Sequence, residues 1–213
     1  MKINLEIIDA AFLVDVEQIT DLNTKELVPK MVLRRRLTRA SKLLIELISK
    51  VGFKKGRIVY GSGYGELLAT SNILKAISNK SGVSPTDFQN SVYNTAVSYA
   101  SILSSNESEM LTISSGDETS LKVLKAGAVK ALDGDEILLV VTETFNIDNI
   151  DEINSCKNIL ESAVCLRVKI TKEEANLFYE DCTLDVNVPK SVSHMFKIAK
   201  EFEKSRSIIE VNL

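Results

Sequence analysis

Residues 137–141, ILLVV, form a continuous apolar run that closely follows a helical pattern over residues 117–132. A strand of this length without a polar side chain has both faces buried, which is typical of a sheet covered by helices on both sides. The turn between the two segments is Asp133-Gly134-Asp135. The chain is therefore expected to build its core around one buried strand.

Other strand and helix patterns alternate along the 213 residues. The predicted strands are 3–14 (a strand pair or one bent strand), 57–60, 109–114 and 164–170. The predicted helices are 33–51, 66–79, one starting at 84–87, 95–103, 154–160 and 190–203. This alternation predicts an α/β protein with a partly parallel sheet. No repeat or linker divides the chain, so we expect a single domain over residues 1–213, with 146–155 as a polar surface loop.

The charge balance argues against two classes of partner. The chain has 26 basic and 29 acidic residues, a net charge of −3, whereas nucleic acids and anionic membranes require a basic surface. No apolar run approaches the roughly 18 residues of a spanning helix. Glu6 and Asp9 interrupt the apolar start of the chain, so neither a signal peptide nor a membrane span is expected.

The histidine and cysteine counts limit the chemistry further. His194 is the single histidine, which excludes a multi-histidine metal site within the chain. Cys156, Cys165 and Cys182 form no CxxC pair and are odd in number, so we expect a reduced, cytoplasmic protein without a metal or cofactor. His194 lies in the last predicted helix, where a solvated or capping role is expected.

A glycine-rich turn, Gly61-Ser62-Gly63-Tyr64-Gly65-Glu66, joins a strand to a helix. A dinucleotide-binding turn needs glycine where Glu66 stands, and a carboxylate there would repel a phosphate. No Gly-Lys-Ser/Thr sequence ends the turn, so it is not a P-loop. The sequence favours a tight turn that packs a helix against the sheet.

A second strand-turn-helix elbow spans residues 112–120, TISSGDETS. Such elbows hold nucleophiles, because a helix N-terminus stabilises negative charge, and Ser114 or Ser115 is a candidate. The hydrolase pattern G-x-S-x-G is absent. A structural role is favoured, with Asp117 and Glu118 stabilising the helix dipole and Ser115 as N-cap.

Four arginines cluster in the first long predicted helix: Arg34, Arg35, Arg36 and Arg39. They either bind an acidic partner or form a solvated helix face, and the sequence favours the second interpretation.

The stretch over residues 111–145 resembles the active-site strand, helix and following strand of the β-ketoacyl synthases. In that family the pattern T-x-x-x-A-C-x-S-S-x-x-A opens a buried helix with the nucleophilic cysteine, and a Gly-Asp pair leads into the next strand. Ser120-Leu121 and Gly134-Asp135 match this pattern. Further matches are the turn 61–66, residues 84–88 (SPTDF), residues 91–94 (SVYN) and the strand 164–170. The resemblance covers most of residues 1–170 and leaves 171–213 as an unanchored C-terminal extension.

The resemblance implies one half of a thiolase-like fold, with a mixed five-stranded sheet and helices on both faces. It places Asp117 where the family has its nucleophilic cysteine. Ketosynthase chemistry needs a thiolate and two imidazoles, and a carboxylate at this place opposes an oxyanion. The chain is also about half the length of the family's members. We therefore expect no independent catalytic activity.

The chain-length factors have lost the nucleophile within a retained fold, and this sequence resembles them in that respect. The resemblance then implies a non-catalytic subunit that pairs with a full-length β-ketoacyl-ACP synthase in fatty-acid-like, polyene or pigment biosynthesis. Dimers of this family form through the strand before the nucleophile, which implies an interface at Met110, Leu111, Thr112, Ile113 and Ser114. The arginine cluster would contact an acidic acyl carrier protein.

Two other functions remain open. One is a stand-alone enzyme that acts on an acyl thioester or ester with Ser114 or Ser115, for which only His194 or a carboxylate is available as a base. The other is a homodimeric protein that binds an acyl group.

Overall fold

The computed structural model describes residues 1–147, 159–178, 188–202 and 207–213. Within these ranges the strands are β1 (Lys2–Asp15), β2 (Arg57–Gly61), β3 (Met110–Ile113), β4 (Ile137–Thr144), β5 (Glu161–Ile170), β6 (Leu177–Phe178) and β7 (Ile208–Asn212). The helices are α1 (Thr24–Leu27), α2 (Met31–Arg34), α3 (Arg39–Lys50), α4 (Leu67–Ser78), α5 (Pro85–Asn90), α6 (Thr95–Ser104), α7 (Thr119–Lys130) and α8 (Lys190–Phe202). Two 3₁₀ turns, Gly116–Glu118 and Ala131–Asp133, flank α7.

The described strands form one mixed sheet in the order β3-β2-β4-β5-β1-β7-β6. β2 is parallel to β3 and β4, whereas β5 is antiparallel to both β4 and β1. Five neighbouring strands, β3 to β1, are those that the sequence predicts. β7 and β6 extend this group at the β1 edge, where β7 pairs antiparallel with β1. The predicted α/β fold with a mixed sheet is confirmed.

β4 is buried along its whole length and divides the core in two. Ile137, Leu139 and Val141 face a cluster that contains residues of α7 and α8. Leu138 and Val140 face a second cluster that contains residues of α3 and α6. Because successive side chains of a strand point to opposite faces, one uninterrupted apolar strand requires helices on both sides.

The C-terminal segment contributes to this core. Val192, Met195 and Ile198 of α8 are fully buried in the same cluster as α7. In β7, Val211 pairs with Ile3 of β1. The residues that the sequence resemblance does not anchor therefore cover one face of the sheet and extend it.

The helix predicted over residues 33–51 begins later than expected. α3 starts at Arg39, because the Thr38 side chain caps it by accepting a hydrogen bond from Ser41 N at 3.2 Å. The preceding residues form the separate short helix α2. A threonine inside an apparently continuous pattern ends one helix and starts another when its hydroxyl caps the new N-terminus.

The strand pair or bent strand predicted near the N-terminus is one long strand, β1, with a register shift between Ile7 and Asp9 opposite β5. β5 begins at Glu161, three residues before its predicted start. The helix predicted over 154–160 and the loop predicted over 146–155 fall mainly outside the described residues. No helix in the described ranges has both the length and the apolar character needed to cross a bilayer.

Gly61, the last residue of β2, lies where α7 packs closest to the sheet. A Cβ atom at this position would lie 2.6 Å from Val123 Cγ2 and 2.7 Å from Thr119 Cγ2. Both neighbours are β-branched and buried, so neither side chain can rotate away readily. The helix that Gly61 admits against the sheet is thus α7, not α4, the helix that follows the glycine-rich turn, in which only Ala69 is buried.

We predict that Gly61→Ala lowers the free energy of unfolding by about 1–3 kcal/mol, because the added methyl overpacks the contact between β2 and α7. Urea unfolding followed by circular dichroism measures the effect. Gly82→Ala is the matched control, since a Cβ there meets nothing within 4 Å, and it should leave stability nearly unchanged. Equal stability of the two variants would contradict the packing role.

Candidate functional site

Three segments meet beyond the carboxyl ends of the parallel strands. The glycine-rich turn follows β2, the elbow follows β3, and Glu143 lies near the end of β4. The turn and the elbow are in contact, because a Cβ on Gly63 would lie only 2.8 Å from Gly116 O. The carboxyl ends of parallel strands are the usual place for a site in an open α/β sheet. We call this region the elbow site.

The carboxylate of Glu143 holds the glycine-rich turn in place through hydrogen bonds. Its carboxylate accepts hydrogen bonds from Ser62 Oγ at 3.0 Å, from Gly63 N at 2.5 Å and from Tyr64 N at 3.4 Å. Burial raises the pKa of this carboxyl to about 7, although the hydrogen bonds from Gly63 and Ser62 favour the ionised form. Sequence reasoning missed this residue, and its signal was a glutamate two residues after the apolar run 137–141 of the buried strand.

Asp117, which the resemblance places at the nucleophile position, lies in the 3₁₀ turn before α7. Its side chain is 57% exposed, and Lys190 Nζ lies 3.6 Å from its Oδ2 atom. Tyr64 Oη lies 3.5 Å from Oδ1, and the Tyr64 ring packs edge-on against Phe145. The elbow therefore presents a carboxylate beside an ammonium group from the C-terminal segment.

The structure brings His194 to a different serine from the two that the sequence singled out. His194 is half-buried on α8, and its Nδ1 atom lies 3.5 Å from Ser120 Oγ. Burial lowers the pKa of His194, and Glu118 opposes this shift. Ser114 Oγ instead lies 3.5 Å from Gly63 O. The expectation of a solvated His194 is wrong, because α8 packs against α7.

Ser115 does lie at the N-cap position of the 3₁₀ turn before α7. Ser115 makes no side-chain cap bond; its backbone N donates to Thr119 Oγ1 at 3.0 Å. The Thr119 hydroxyl in turn donates to Gly116 O at 2.7 Å. Thr119 thus fixes the elbow, because its hydroxyl both accepts and donates across the turn.

The arginine cluster is not a uniform solvated face. Arg39 binds the buried carboxylate of Glu161 through two nitrogens and also donates to Ile19 O. Arg34 donates to Val28 O at 2.9 Å and to Pro29 O at 3.2 Å. The interpretation as a solvated helix face is wrong for these two side chains. Arg35 and Arg36 are exposed, as expected.

Among the described residues, the burial of three further carboxyls, those of Glu46, Glu66 and Glu161, was not predicted from the sequence. Glu161 also accepts a hydrogen bond from Ile19 N at 2.9 Å. Burial raises the pKa of Glu66 to about 7, and Thr38 Oγ1 donates to this carboxyl at 2.6 Å. Their partners are distant in sequence, so periodicity alone could not have identified them.

Cys165 is buried in β5, and burial raises the pKa of its thiol to about 12. A buried neutral thiol is a poor nucleophile. Cys156 and Cys182 lie outside the described residues. Within the described part of the chain, no group of histidine, cysteine and acidic residues is arranged to hold a metal ion.

The mixed sheet, the helices on both faces and the elbow before α7 together define a thiolase-like ketosynthase fold. The chain belongs to the family described as beta-ketoacyl synthase, N-terminal domain, whose sequence profile matches residues 14–207. The predicted family membership is confirmed. No protein with a curated description matches the sequence significantly.

Solved structures share this fold at low identity. A chain from the complex of a ketosynthase (ApeO) with its chain length factor (ApeC) from Xenorhabdus doucetiae is 20% identical, with a TM-score of 0.64 over 82% of this chain and 85% of that one. The ishigamide ketosynthase/chain length factor is 14% identical, with a TM-score of 0.55 over 74% and 50%. A beta-ketoacyl synthase from Burkholderia phymatum STM815 is 14% identical, with a TM-score of 0.51 over 73% and 46%. The chain thus spans about half the length of the last two.

The raised pKa of Glu143 predicts a pH dependence of stability. Its ordinary value is 4.5 and its folded value about 7, so between these values the folded state holds a proton that the unfolded state releases. This contribution to the free energy of unfolding is largest at low pH and falls by about 3 kcal/mol as the pH rises to 7.

We expect the difference in unfolding free energy between the wild type and Glu143→Gln to fall between about pH 5 and pH 7 and to level off above about pH 8. Urea titrations across this range measure the difference. A difference that stays constant with pH would contradict the assignment to Glu143.

Proposed function

We propose that this chain is a non-catalytic subunit, similar to a chain-length factor, that pairs with a full-length β-ketoacyl-ACP synthase. The pathway we propose is fatty-acid-like, polyene or pigment biosynthesis. The observation that carries the proposal is the elbow site, where the fold is retained and the resemblance puts the carboxylate of Asp117 at the nucleophile position. Supporting it, a chain of similar length and fold occurs in a complex of a ketosynthase with its chain length factor.

The chemistry of the elbow site supports a role without catalysis. A carboxylate at Asp117 cannot carry an acyl group as a stable thioester, and its charge lies beside Lys190. His194 contacts the fully buried Ser120, which a substrate cannot reach. Glu143 is committed to holding the glycine-rich turn. The Ser120 hydroxyl and the His194 imidazole lie within hydrogen-bond reach, but the burial of Ser120 keeps this pair from acting as nucleophile and base on a substrate.

The proposed interface lies along β3, the edge strand of the described sheet. Ile58 N donates to Glu109 O at 3.1 Å, and Ser62 N donates to Ile113 O at 3.2 Å. Backbone groups alternate between the two sides of a parallel strand, so those of Met110 and Thr112 point away from β2. An edge of this kind can pair with a strand of another chain.

Exposed apolar side chains occur in the segment that connects β2 to β3. Most apolar side chains of α4 and α5 are at least partly exposed, and Phe88 is 71% exposed. The exposed members of this surface are Leu68, Leu74, Ile77, Phe88 and Val92. Apolar side chains grouped in this way mark an interaction surface, and we assign it to the ketosynthase partner that pairs with β3.

We further propose that the exposed Arg35 and Arg36 contact an acidic carrier protein. Residues 25–42 contain seven basic residues and one acidic residue, although the whole chain has a net charge of −3. Arg34 and Arg39 support this contact indirectly, because their guanidinium groups hold the surrounding backbone. Such a basic surface accelerates association with an acidic partner.

The pairing proposal is tested with Thr112→Pro. Proline removes the N–H group that points away from β2 and is tolerated on edge strands. We expect it to weaken the complex with the ketosynthase encoded nearest to this chain's gene by about tenfold or more, equivalent to about 1.4 kcal/mol. Analytical ultracentrifugation and native mass spectrometry of the mixed proteins measure the complex.

Thr112→Val is the matched control, because it keeps the backbone N–H and nearly the same side-chain volume, and it should pair as the wild type does. Charged substitutions at Leu111 or Ile113 are less suitable, since both side chains pack against the core. A folded Thr112→Pro variant that pairs normally would refute the β3 interface. A wild-type chain that forms no complex with the ketosynthase, or pairs only with itself, would refute the proposed function.

A further inference from the structure

Positive charge is concentrated in residues 25–42, which run from α1 through α2 into the start of α3. This segment holds seven basic residues and one acidic residue, whereas the rest of the chain holds 19 basic and 28 acidic residues. The basic side chains also converge in space, because Lys25, Arg35 and Lys42 line one cavity between the α1–α2 segment and α3. The net charge of −3, on which the sequence expectation about membranes rests, does not show this local excess. We call the exposed side of residues 25–42 the basic face.

Three apolar side chains are exposed within the basic face. Val32 is 67% exposed, Met31 53% and Leu27 36%. The exposed basic residues Lys30 and Arg35 lie within three residues of Val32 in the sequence. Single exposed apolar residues are common on protein surfaces, but several grouped together and surrounded by charged residues mark an interaction surface. The basic face therefore combines an apolar part with a positively charged surround.

The backbone that presents these apolar side chains is held in place by the fold. Val28, between α1 and α2, is buried. Arg34 Nη1 donates to Val28 O at 2.9 Å and to Pro29 O at 3.2 Å, so its guanidinium group joins the connection between the two short helices to α2. Thr38 then caps α3. The apolar side chains therefore project from an anchored segment, and binding through them does not require that segment to fold first.

The charges of the basic face are available to a partner. Arg39 is the exception, because it pairs with Glu161. In the described parts of the chain, no ion pair joins a carboxylate to Lys30, Arg35 or Arg36. Lysine and arginine can lay their apolar stems along an apolar surface while the charged ends stay at a polar one. The basic residues can therefore remain at a charged layer while the apolar side chains reach further.

An anionic bilayer supplies what both kinds of side chain require. Clusters of about four to eight lysines and arginines bind anionic lipid headgroups, and apolar side chains strengthen the contact by entering the layer directly beneath. An acidic protein would satisfy the charges, but its own apolar residues would have to lie at matching positions, whereas lipids rearrange around the side chains. The acidic remainder of the chain is repelled by the same surface, which favours the orientation with the basic face toward the lipid.

We propose that the basic face binds an anionic lipid surface, with Leu27, Met31 and Val32 entering the layer beneath the headgroups. The protein then associates with one side of a membrane through side chains alone. The inference does not depend on pairing through β3, which uses different residues. It shares Arg35 and Arg36 with the proposed carrier-protein contact, so a lipid surface and a carrier protein would compete for this face.

Co-sedimentation of the full chain with vesicles tests the electrostatic part of the proposal. The vesicles contain phosphatidylcholine alone or with about one third phosphatidylglycerol, at an ionic strength of about 0.15 M. We expect at least about tenfold tighter binding to the anionic vesicles, weakened at about 0.5 M salt by screening. Arg36→Gln should weaken this binding by about threefold or more. Lys55→Gln is the matched control, an exposed lysine beyond the opposite end of α3, and should bind as the wild type does.

Tryptophan fluorescence tests the insertion of the apolar side chains, because the chain has no tryptophan of its own. The emission of Val32→Trp should shift to shorter wavelength when anionic vesicles are added, and brominated lipid should quench it, because the indole enters the apolar layer. Ile102→Trp is the matched control, since Ile102 on α6 is also 67% exposed, and its emission should stay unchanged. Thermal unfolding confirms that the variants are folded.

Three results would overturn the proposal. They are wild-type protein that does not sediment with anionic vesicles, equal binding to both kinds of vesicle, and Val32→Trp emission that anionic vesicles leave unchanged. If the acyl carrier protein encoded nearest to this chain's gene binds the wild type while vesicles do not, the basic face is a carrier-protein site instead.

Discussion

The burial of β4 on both faces is the constraint on which the other elements depend. Its residues Ile137–Thr144 are all buried, so helices must cover both sides of the sheet. α7 covers one face together with α8, and α3 covers the other. The close approach of α7 at Gly61 then places the elbow directly beside the glycine-rich turn. The geometry of the elbow site is a consequence of how this central strand is packed.

Buried carboxylates perform the second structural task, which is to fix loops that contain no regular hydrogen-bond ladder. Glu143 satisfies donors of the glycine-rich turn, and Glu161 and Glu46 anchor the two ends of the segment from Ile19 to Asn23. A buried carboxylate is stable only when donors or a cation satisfy it, so each one holds its neighbours in a defined geometry. Glu143 thereby determines the geometry of the elbow site, and Glu161 and Glu46 that of the segment after β1.

Strongly periodic or uniformly apolar segments were predictable, and contacts between distant residues were not. The helix of residues 67–78, the Ser84 cap of α5 and the buried strand β4 follow from local patterns. The start of α3 was misplaced because the cap at Thr38 depends on one hydroxyl. His194 was expected in solvent because its neighbour across the interface, Ser120, is remote in sequence.

The sequence by itself determined the fold class and the family resemblance, because these depend on local periodicity and on residue identity. Only the tertiary structure decided which charges are paired. Arg39 binds Glu161 within the fold, whereas Arg35 faces a cavity, although both belong to one arginine cluster in the sequence. The physical reason is that an ion pair forms between residues that can be remote in sequence. The packing of the sheet decides which of them come into contact, and the order of residues along the chain does not show this.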